Sequence, residues 1–216
     1  MSLDGHEIDR VRTGSHDPPT PLHEARLEVV VNVLLASGAT TVLDLGCGSG
    51  ALLQRLAGEP RLERIVGIDV EGRALEEARI ALGIGFPEPA ARVQVRRGSL
   101  LHPDEDLHGF DAAALVETLE HIDPGRLSRV ERALFDDLHP RHVLVTTPNR
   151  DYNPLHGLAP GQLRHPDHRF EWGRARFRRW ARGVAARNGY RARFVDIGPA
   201  DPLRGSSTQM AIFTLA

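Results

Sequence analysis

The chain contains 216 residues, of which 41% are hydrophobic and 26% are charged, a composition typical of one globular domain with a full-sized core. No run reaches the roughly 18 apolar residues that a membrane span needs, and the polar start lacks the apolar centre of a signal peptide. We therefore expect a cytoplasmic protein with no membrane partner. The single cysteine, Cys47, excludes an internal disulfide and a multi-cysteine zinc site.

Charge is distributed unevenly along the chain. Residues 1–150 contain 16 arginines against 24 acidic residues, a net charge of −8, and residues 151–216 contain 11 arginines against 5 acidic residues, a net charge of +6. Ten of these arginines lie between Arg164 and Arg193. Such a segment suits an anionic partner such as a nucleic acid, or it is a solvated arginine-rich face.

The first predicted elements follow a polar segment rich in glycine and proline. Residues 1–19 are predicted to be a leader or linker, and the domain is predicted over residues 20–216. Thr20 and Pro21 predict a helix start, with apolar spacing that continues to Gly38. Short buried strands then alternate with helices, which predicts an α/β fold with a seven-stranded, mostly parallel sheet flanked by helices.

The remaining predicted elements follow in chain order. The predicted strands are 41–45, 64–69, 93–97, 112–116, 142–146, 191–197 and 209–215. The predicted helices are 51–57, 72–82, 124–138 and a last one that contains Phe177 and Trp180 on its core stripe and ends at Gly189. Residues 147–171 are predicted to form a structureless loop, and loops of this length in compact domains are usually functional.

A glycine-rich motif lies where the first strand turns into a helix. Residues 44–50 read Asp-Leu-Gly-Cys-Gly-Ser-Gly, and the missing side chains let a ligand approach the backbone. Asp69 ends the second strand 25 residues after Asp44, where a carboxylate can bind a ribose diol or an amine. The absence of Gly-Lys-Ser/Thr excludes a phosphate loop, although nicotinamide-binding proteins use related spacings. Cys47 is expected to pack rather than to react.

This motif, followed by Gly67-Ile68-Asp69, resembles that of the class I S-adenosylmethionine-dependent methyltransferases, over about residues 39–215. The resemblance implies a Rossmann-like methyltransferase fold with S-adenosylmethionine as the cofactor. The implied cofactor-binding residues are Asp44, Gly46, Gly48 and Gly50 at the methionine part, Asp69 at the ribose, and Ser99 with Leu100 at the adenine.

A second group of candidate residues follows the fourth strand. Glu117, Glu120 and His121 are spaced i, i+3, i+4, so one helical turn would present them on one face. Two carboxylates and an imidazole suit a divalent cation, although Leu-Glu-His-Ile also serves helix packing in many small-molecule methyltransferases. A further imidazole from the long loop, His165 or His168, would complete a four-ligand site.

Four motifs in order are similar to those of the RNA 3′-terminal ribose 2′-O-methyltransferases, a family that protects small RNAs in eukaryotes and marks repaired RNA ends in bacteria. They are Glu-x-x-Glu-His, Thr-Pro-Asn at 147–149, Asp-His-Arg-Phe-Glu-Trp at 167–172 and Gln-Met-Ala-Ile-Phe-Thr at 209–214. The resemblance implies the metal ligands Glu117, Glu120, His121 and His168, with His168 selected over His165. It also implies Arg26 and Arg164 as RNA-binding residues. Phe170 and Trp172 are expected to stack on the terminal base.

The resemblance implies a function, methylation of the 2′ hydroxyl at an RNA 3′ end, with a divalent metal that chelates the 2′ and 3′ hydroxyls. Mn(II) is the expected metal, and Mg(II) and Co(II) are the alternatives. His121 and His168 are the catalytic candidates for accepting the hydroxyl proton. The expected partners are the RNA end and an RNA end-healing and ligating protein.

Two other functions are compatible with parts of this pattern. A small-molecule O-methyltransferase acting on a catechol or quinol needs only the glycine motif and the Glu-His segment. A non-catalytic RNA-binding module with a vestigial cofactor pocket would need neither an intact metal site nor an intact cofactor site.

Overall fold

Strands and helices alternate along residues 20–85 and 91–216, which are the residues that this computed structural model describes; the predicted leader 1–19 lies outside them. The strands are β1 (Thr41–Leu45), β2 (Arg64–Asp69), β3 (Val93–Arg97), β4 (Ala112–Val116), β5 (His142–Pro148), β6 (Tyr190–Asp201) and β7 (Gly205–Leu215). The helices are α1 (Pro21–Ala36), α2 (Ala51–Ala57), α3 (Gly72–Leu82), α4 (Leu127–Arg132) and α5 (Arg174–Asn188). Among them, none is long and apolar enough to cross a membrane.

The strands form one sheet in the order β3-β2-β1-β4-β5-β7-β6. Neighbours from β3 to β5 run parallel, whereas β7 runs antiparallel to both β5 and β6. The prediction of a seven-stranded, mostly parallel sheet is thus confirmed. The chain order reverses at β1 and β4, and parallel sheets form ligand crevices at the carboxyl ends of the strands at such a point.

Helices cover both faces of the sheet, and successive residues of a strand point to opposite faces. Val42 of β1 packs in a cluster with α1, α2 and α3, and Leu43 packs in a cluster with α4 and α5. Phe177 of α5 is fully buried in the second cluster, as its position on the apolar stripe predicts. Because both faces are covered, the central strands are continuous apolar runs rather than alternating ones.

The predicted helix over 124–138 is correct in extent but has three parts. A 3₁₀ turn, Pro124–Arg126, precedes α4, and a π-helical segment, Ala133–Asp137, follows it. In the π segment the amide of Leu138 donates to the carbonyl of Ala133 at 2.9 Å. This wider turn buries three consecutive residues, 133–135, in the core.

The predicted long loop and the predicted ends of the last two strands are partly wrong. The segment 147–171 is not structureless, because β5 extends to Pro148 and Arg150–His156 forms a 3₁₀ helix. The side chain of Asn149 caps the first turn of this helix by accepting from the amide of Asp151 at 3.0 Å. Strands β6 and β7 are longer than predicted, because their pairing continues past Ile197 through a register shift.

Candidate active site

A cleft of about 950 Å³ opens where the strand order reverses. The strands β1, β2 and β3 contribute the glycine motif, Asp69 and the segment 98–101 to its walls. The segment after β4 and the long loop contribute His121, Arg126 and Arg169. The predicted cofactor residues, except Gly50, and part of the predicted metal site therefore share one cleft.

The backbone of the glycine motif requires glycine at two positions for different reasons. Gly46 has φ +82°, and a Cβ there would lie 2.5 Å from Thr118 Cγ2, so the turn packs tightly against the segment after β4. Gly48 has φ +51°, and a Cβ there would meet no described heavy atom within 4 Å. Gly48 lines the cleft, so a ligand can approach its backbone closely.

Two aspartates flank the glycine motif. The carboxylate of Asp69 is held by the amides of Gly48 and Glu71, each at 2.9 Å. Asp44 is 2% exposed, and its Oδ2 has no hydrogen-bond partner among the described residues. Burial and the negative charge of Asp69 raise the pKa of Asp44 to about 7. A buried carboxylate of this kind fits a cationic ligand group.

The other predicted cofactor residues lie around the same turn. Ser99 and Leu100 line the cleft, and Ser99 Oγ accepts from the amide of Leu101 at 3.2 Å. Gly50 precedes α2 with φ +83° and faces Ala78 rather than the cleft. Cys47 is buried, and burial raises the pKa of its thiol, so it is an unreactive packing residue as expected.

Three side chains meet, two from the segment after β4 and one from the long loop. Single ligand atoms of Glu120, His121 and His168 lie within 4.8 Å of one another. Glu120 is fully buried; its Oε2 accepts from Thr147 Oγ1 at 3.0 Å, whereas its Oε1 is buried with no partner in the described part of the chain. One carboxylate with an unsatisfied oxygen beside two imidazoles is a suitable donor set for a divalent cation.

Glu117 stands apart from this cluster. The prediction that one helical turn carries all three residues is wrong, because the 3₁₀ turn covers only Leu119–His121 and Glu117 precedes it with φ +52°. Its carboxylate accepts from Thr146 Oγ1 at 3.0 Å and pairs with Arg26 Nη2 at 3.2 Å. Glu117 nevertheless lines the cleft, and burial raises its pKa.

His168 is oriented by a buried carboxylate that the sequence did not single out. His168 Nδ1 lies 2.6 Å from Glu171 Oε1, so Nε2 is the nitrogen available to a metal. Glu171 also accepts from Asn153 Nδ2 at 2.6 Å and from the amide of Arg164 at 2.7 Å. Although burial opposes its ionisation, these bonds lower the pKa of Glu171 to about 2. His165 is exposed and lies outside the cluster.

The two predicted RNA-binding arginines have internal partners. Arg26 is only 12% exposed in its ion pair with Glu117. The guanidinium of Arg164 donates to Asn153 Oδ1 at 2.6 Å, to the carbonyl of Asn149 at 2.7 Å and to Ser207 Oγ at 3.1 Å. In this structure both arginines position parts of the site, and a phosphate contact by either stays a prediction.

The expectation for Trp172 is wrong. Trp172 is 4% exposed and packs in the core, with its ring centroid 4.5 Å from that of Phe170. Its indole is therefore not accessible to a terminal base. The residues that the sequence analysis missed include Arg126 and Arg169, whose place on the cleft wall depends on the tertiary fold.

The known proteins that this chain resembles include methyltransferases. The methyltransferase-domain family model matches residues 42–141. A crystal structure of the methyltransferase domain of bacterial CtHen1 is 44% identical with a TM-score of 0.81, over 90% of this chain and 99% of that one. The small RNA 2'-O-methyltransferase of Mus musculus is 34% identical over 90% of this chain and 51% of its own length. A chain of the Pnkp1/Rnl/Hen1 RNA repair complex, at 19% identity and a TM-score of 0.64, shows the fold alone.

The glycine turn after β1, the sheet order with an antiparallel β7 and the match to the methyltransferase-domain model together define a class I S-adenosylmethionine-dependent methyltransferase. The sequence identity to the bacterial domain, over almost all of its length, also establishes the family within that class. The chain belongs to the Hen1 family of methyltransferase domains. It spans about half or less of the length of the curated relatives that it matches.

Proposed function

We propose that this domain methylates the 2′ hydroxyl of the 3′-terminal ribose of RNA, with S-adenosylmethionine as the methyl donor and a divalent metal at the site. One observation carries the proposal: the glycine motif and His121 line the same cleft, and ligand atoms of Glu120 and His168 lie within 4.8 Å of a ring nitrogen of His121. The curated relatives named small RNA 2'-O-methyltransferases support RNA as the substrate.

The cofactor half of the cleft offers a partner for each charged or polar part of S-adenosylmethionine. Asp44 would accept from the ammonium group of the methionine part, which would remove the cost of its buried charge. Asp69, held by the Gly48 amide, would accept from the ribose hydroxyls. Ser99 and Leu100 would contact the adenine. The other proposed contacts are the backbones of Gly46, Gly48 and Gly50.

The metal half would be built on Glu120, His121 and His168. The unpartnered Glu120 Oε1 supports a cation there, and two imidazoles favour Mn(II) or Co(II) over Mg(II), which prefers oxygen ligands. Glu117 would become a fourth ligand on leaving Arg26. When bound, a divalent ion would polarise the two ribose hydroxyls and lower the pKa of the reacting one.

Of the two histidines, His121 is the better candidate for accepting the hydroxyl proton. A neutral imidazole has a single ring lone pair, so a histidine would accept the hydroxyl proton only while it does not ligate the metal. His168, bonded to Glu171 through Nδ1, would be held as a ligand. The pKa of His121 is lowered, mainly by burial and to a smaller extent by the neighbouring His168 and His165. The neutral form of His121 is therefore favoured, and His121 would accept the proton through a ring nitrogen that is not bound to the metal.

The partners belong to the same proposal. The RNA 3′ end would enter the cleft beside His121. Arg26 would hold Glu117 and Arg164 would hold the long loop, and either arginine would contact an RNA phosphate only after leaving its internal partners. An RNA end-healing and ligating partner stays a prediction, because the similar chain in an RNA repair complex shows the fold alone.

The test is methyl transfer from labelled S-adenosylmethionine to a short single-stranded RNA with Mn(II). Matched RNAs ending in 2′-deoxy, 3′-deoxy or 3′-phosphate ribose, together with an EDTA arm, probe the role of the free diol. We expect transfer to the diol end alone, with loss on chelation and in His168→Ala.

A matched variant and a second substrate sharpen this test. His165→Ala removes an imidazole outside the cluster and should retain activity. Methylation of a catechol with no transfer to any RNA would refute the RNA proposal. Transfer that persists in EDTA would refute the metal part alone.

A further inference from the structure

The cleft of the proposed function is rich in carboxylates. Asp44, Asp69, Glu117 and Asp123 all line it, and the buried Glu120 lies close to His121, which also lines it. An anionic substrate would meet repulsion at such a wall unless fixed cations compensate for it. Within the described residues, Arg126 and Arg169 are the arginines that line this cleft.

These two arginines differ from the others near the site. Both are exposed, and neither guanidinium has a hydrogen bond or an ion pair with any residue that the structure describes. Arg26 and Arg164, by contrast, are bonded to Glu117 and to Asn153. Free guanidinium groups on a cleft wall are available to an incoming ligand at no cost of a broken internal pair.

Both arginines are attached to the segments that carry the metal cluster. Arg169 directly follows His168, and its amide donates to the carbonyl of Glu120 at 2.7 Å. The amide of Arg126 donates to the carbonyl of Asp123 at 2.8 Å, in a turn that begins two residues after His121. Their backbones are therefore fixed relative to the proposed position of the terminal ribose, although their side chains are free.

We propose that Arg126 and Arg169 bind the phosphodiester that joins the last two nucleotides of the RNA. This inference rests on the proposed function. A 3′ end with a free diol has no phosphate on its 3′ side, so its nearest anion is the phosphate on the 5′ side of the terminal ribose. The guanidinium fork suits phosphate oxygens, to which it can donate two parallel hydrogen bonds.

The test compares two RNAs of one sequence, one unmodified and one with a neutral methylphosphonate at the 3′-terminal linkage. The full chain, with Mn(II), is used as wild type, Arg126→Ala and Arg169→Ala. Arg129→Ala and Arg150→Ala are matched controls, since both arginines are exposed and lie off the cleft wall. The kcat/KM for RNA and the KM for S-adenosylmethionine are measured separately.

We expect each cleft variant to lower kcat/KM about tenfold or more on the unmodified RNA, and to have little effect on the methylphosphonate RNA, which already lacks the charge. The KM for S-adenosylmethionine and the melting temperature should not change. Equal losses on both RNAs would overturn the inference, as would a raised KM for S-adenosylmethionine, which would place the guanidinium on the cofactor carboxylate. If the wild type methylates neither RNA, the proposed function itself fails and the inference fails with it.

Discussion

Glu171 organises the proposed metal site although it is not one of the proposed ligands. Its carboxylate accepts from His168, Asn153 and the amide of Arg164, so one buried charge links the proposed ligand to the 3₁₀ helix and to the loop. Such carboxylate–histidine pairs fix the ring orientation and the tautomer of a ligating imidazole. His168 is thus held in the orientation that the proposed metal site requires.

Replacing Glu171 tests this role. Glu171→Gln should lower the affinity for Mn(II) about tenfold, because the amide cannot accept all three hydrogen bonds and removes the charge beside His168. Calorimetric titration of Mn(II) into the cofactor-free protein measures the effect. Asp167→Asn is the control, since Asp167 is 76% exposed; an equal loss in both variants would contradict the role.

The pKa of Asp44 makes a prediction about pH. A carboxyl whose pKa is raised on folding, here from 3.8 to about 7, destabilises the folded state progressively as pH rises from about 4 to about 7. Asp44→Asn removes this contribution while leaving the other buried carboxylates. The cofactor-free variant should therefore gain stability relative to the wild type over that range.

Thermal melting of both proteins between pH 4 and pH 8 checks this expectation. The difference in melting temperature should be smallest near pH 4 and largest above pH 7, in favour of the variant. The same variant should bind S-adenosylmethionine more weakly. A difference that does not vary with pH would contradict the assignment to Asp44.

At the scale of elements, the turn between β1 and α2 separates structural from ligand-related glycines. Gly46→Ala should lower the free energy of unfolding by about 2 to 3 kcal/mol, because it combines a left-handed φ with a close approach to Thr118. Gly48→Ala should cost about 1 kcal/mol but weaken cofactor binding, since its methyl would occupy the open cleft. Chemical denaturation and S-adenosylhomocysteine titration of both variants measure the two effects, and similar profiles would refute the distinction.

Elements with strong local signals could be predicted from the sequence. The strand at Thr41–Leu45 and the glycine turn are determined by a short apolar run followed by glycines, and both boundaries agree with the structure. The extension of β6 past Ile197 was missed because Gly198 and Pro199 indicate a strand end. In the structure the pairing continues there through a bulge, which a partner strand stabilises and a local pattern does not reveal.

Parts of the site that depend on distant residues were less predictable. The motif order indicated His168, and the structure brings it to Glu120 and His121. The position of Glu117 could not be read from its spacing, because its carboxylate is held by Arg26, from α1. Arg26 in turn bonds to Thr208, 182 residues away. Burial of this arginine results from the tertiary fold and has no local signal.

At the scale of the whole molecule, metal binding should stabilise the domain. Glu120 is buried and Glu117 is partly buried, and desolvation raises the pKa of both, so a bound cation would offset an existing cost. At free Mn(II) about 1,000 times its Kd, linkage predicts a gain of roughly 4 kcal/mol in the free energy of unfolding. Melting curves with Mn(II) and with EDTA measure it, and Glu120→Gln should abolish most of the gain. A similar gain in that variant would place the metal elsewhere.

The position of β7 has a consequence for synthesis of the chain on the ribosome. β7 follows β6 in the sequence but lies between β5 and β6 in the sheet. Until residues 205–215 have left the exit tunnel, β5, the strand that carries Thr147, has one unpaired edge. An unpaired edge of this kind can pair with another chain. The edge of β5 therefore stays open until β7 has left the tunnel and inserted between β5 and β6, and it has to be protected until then.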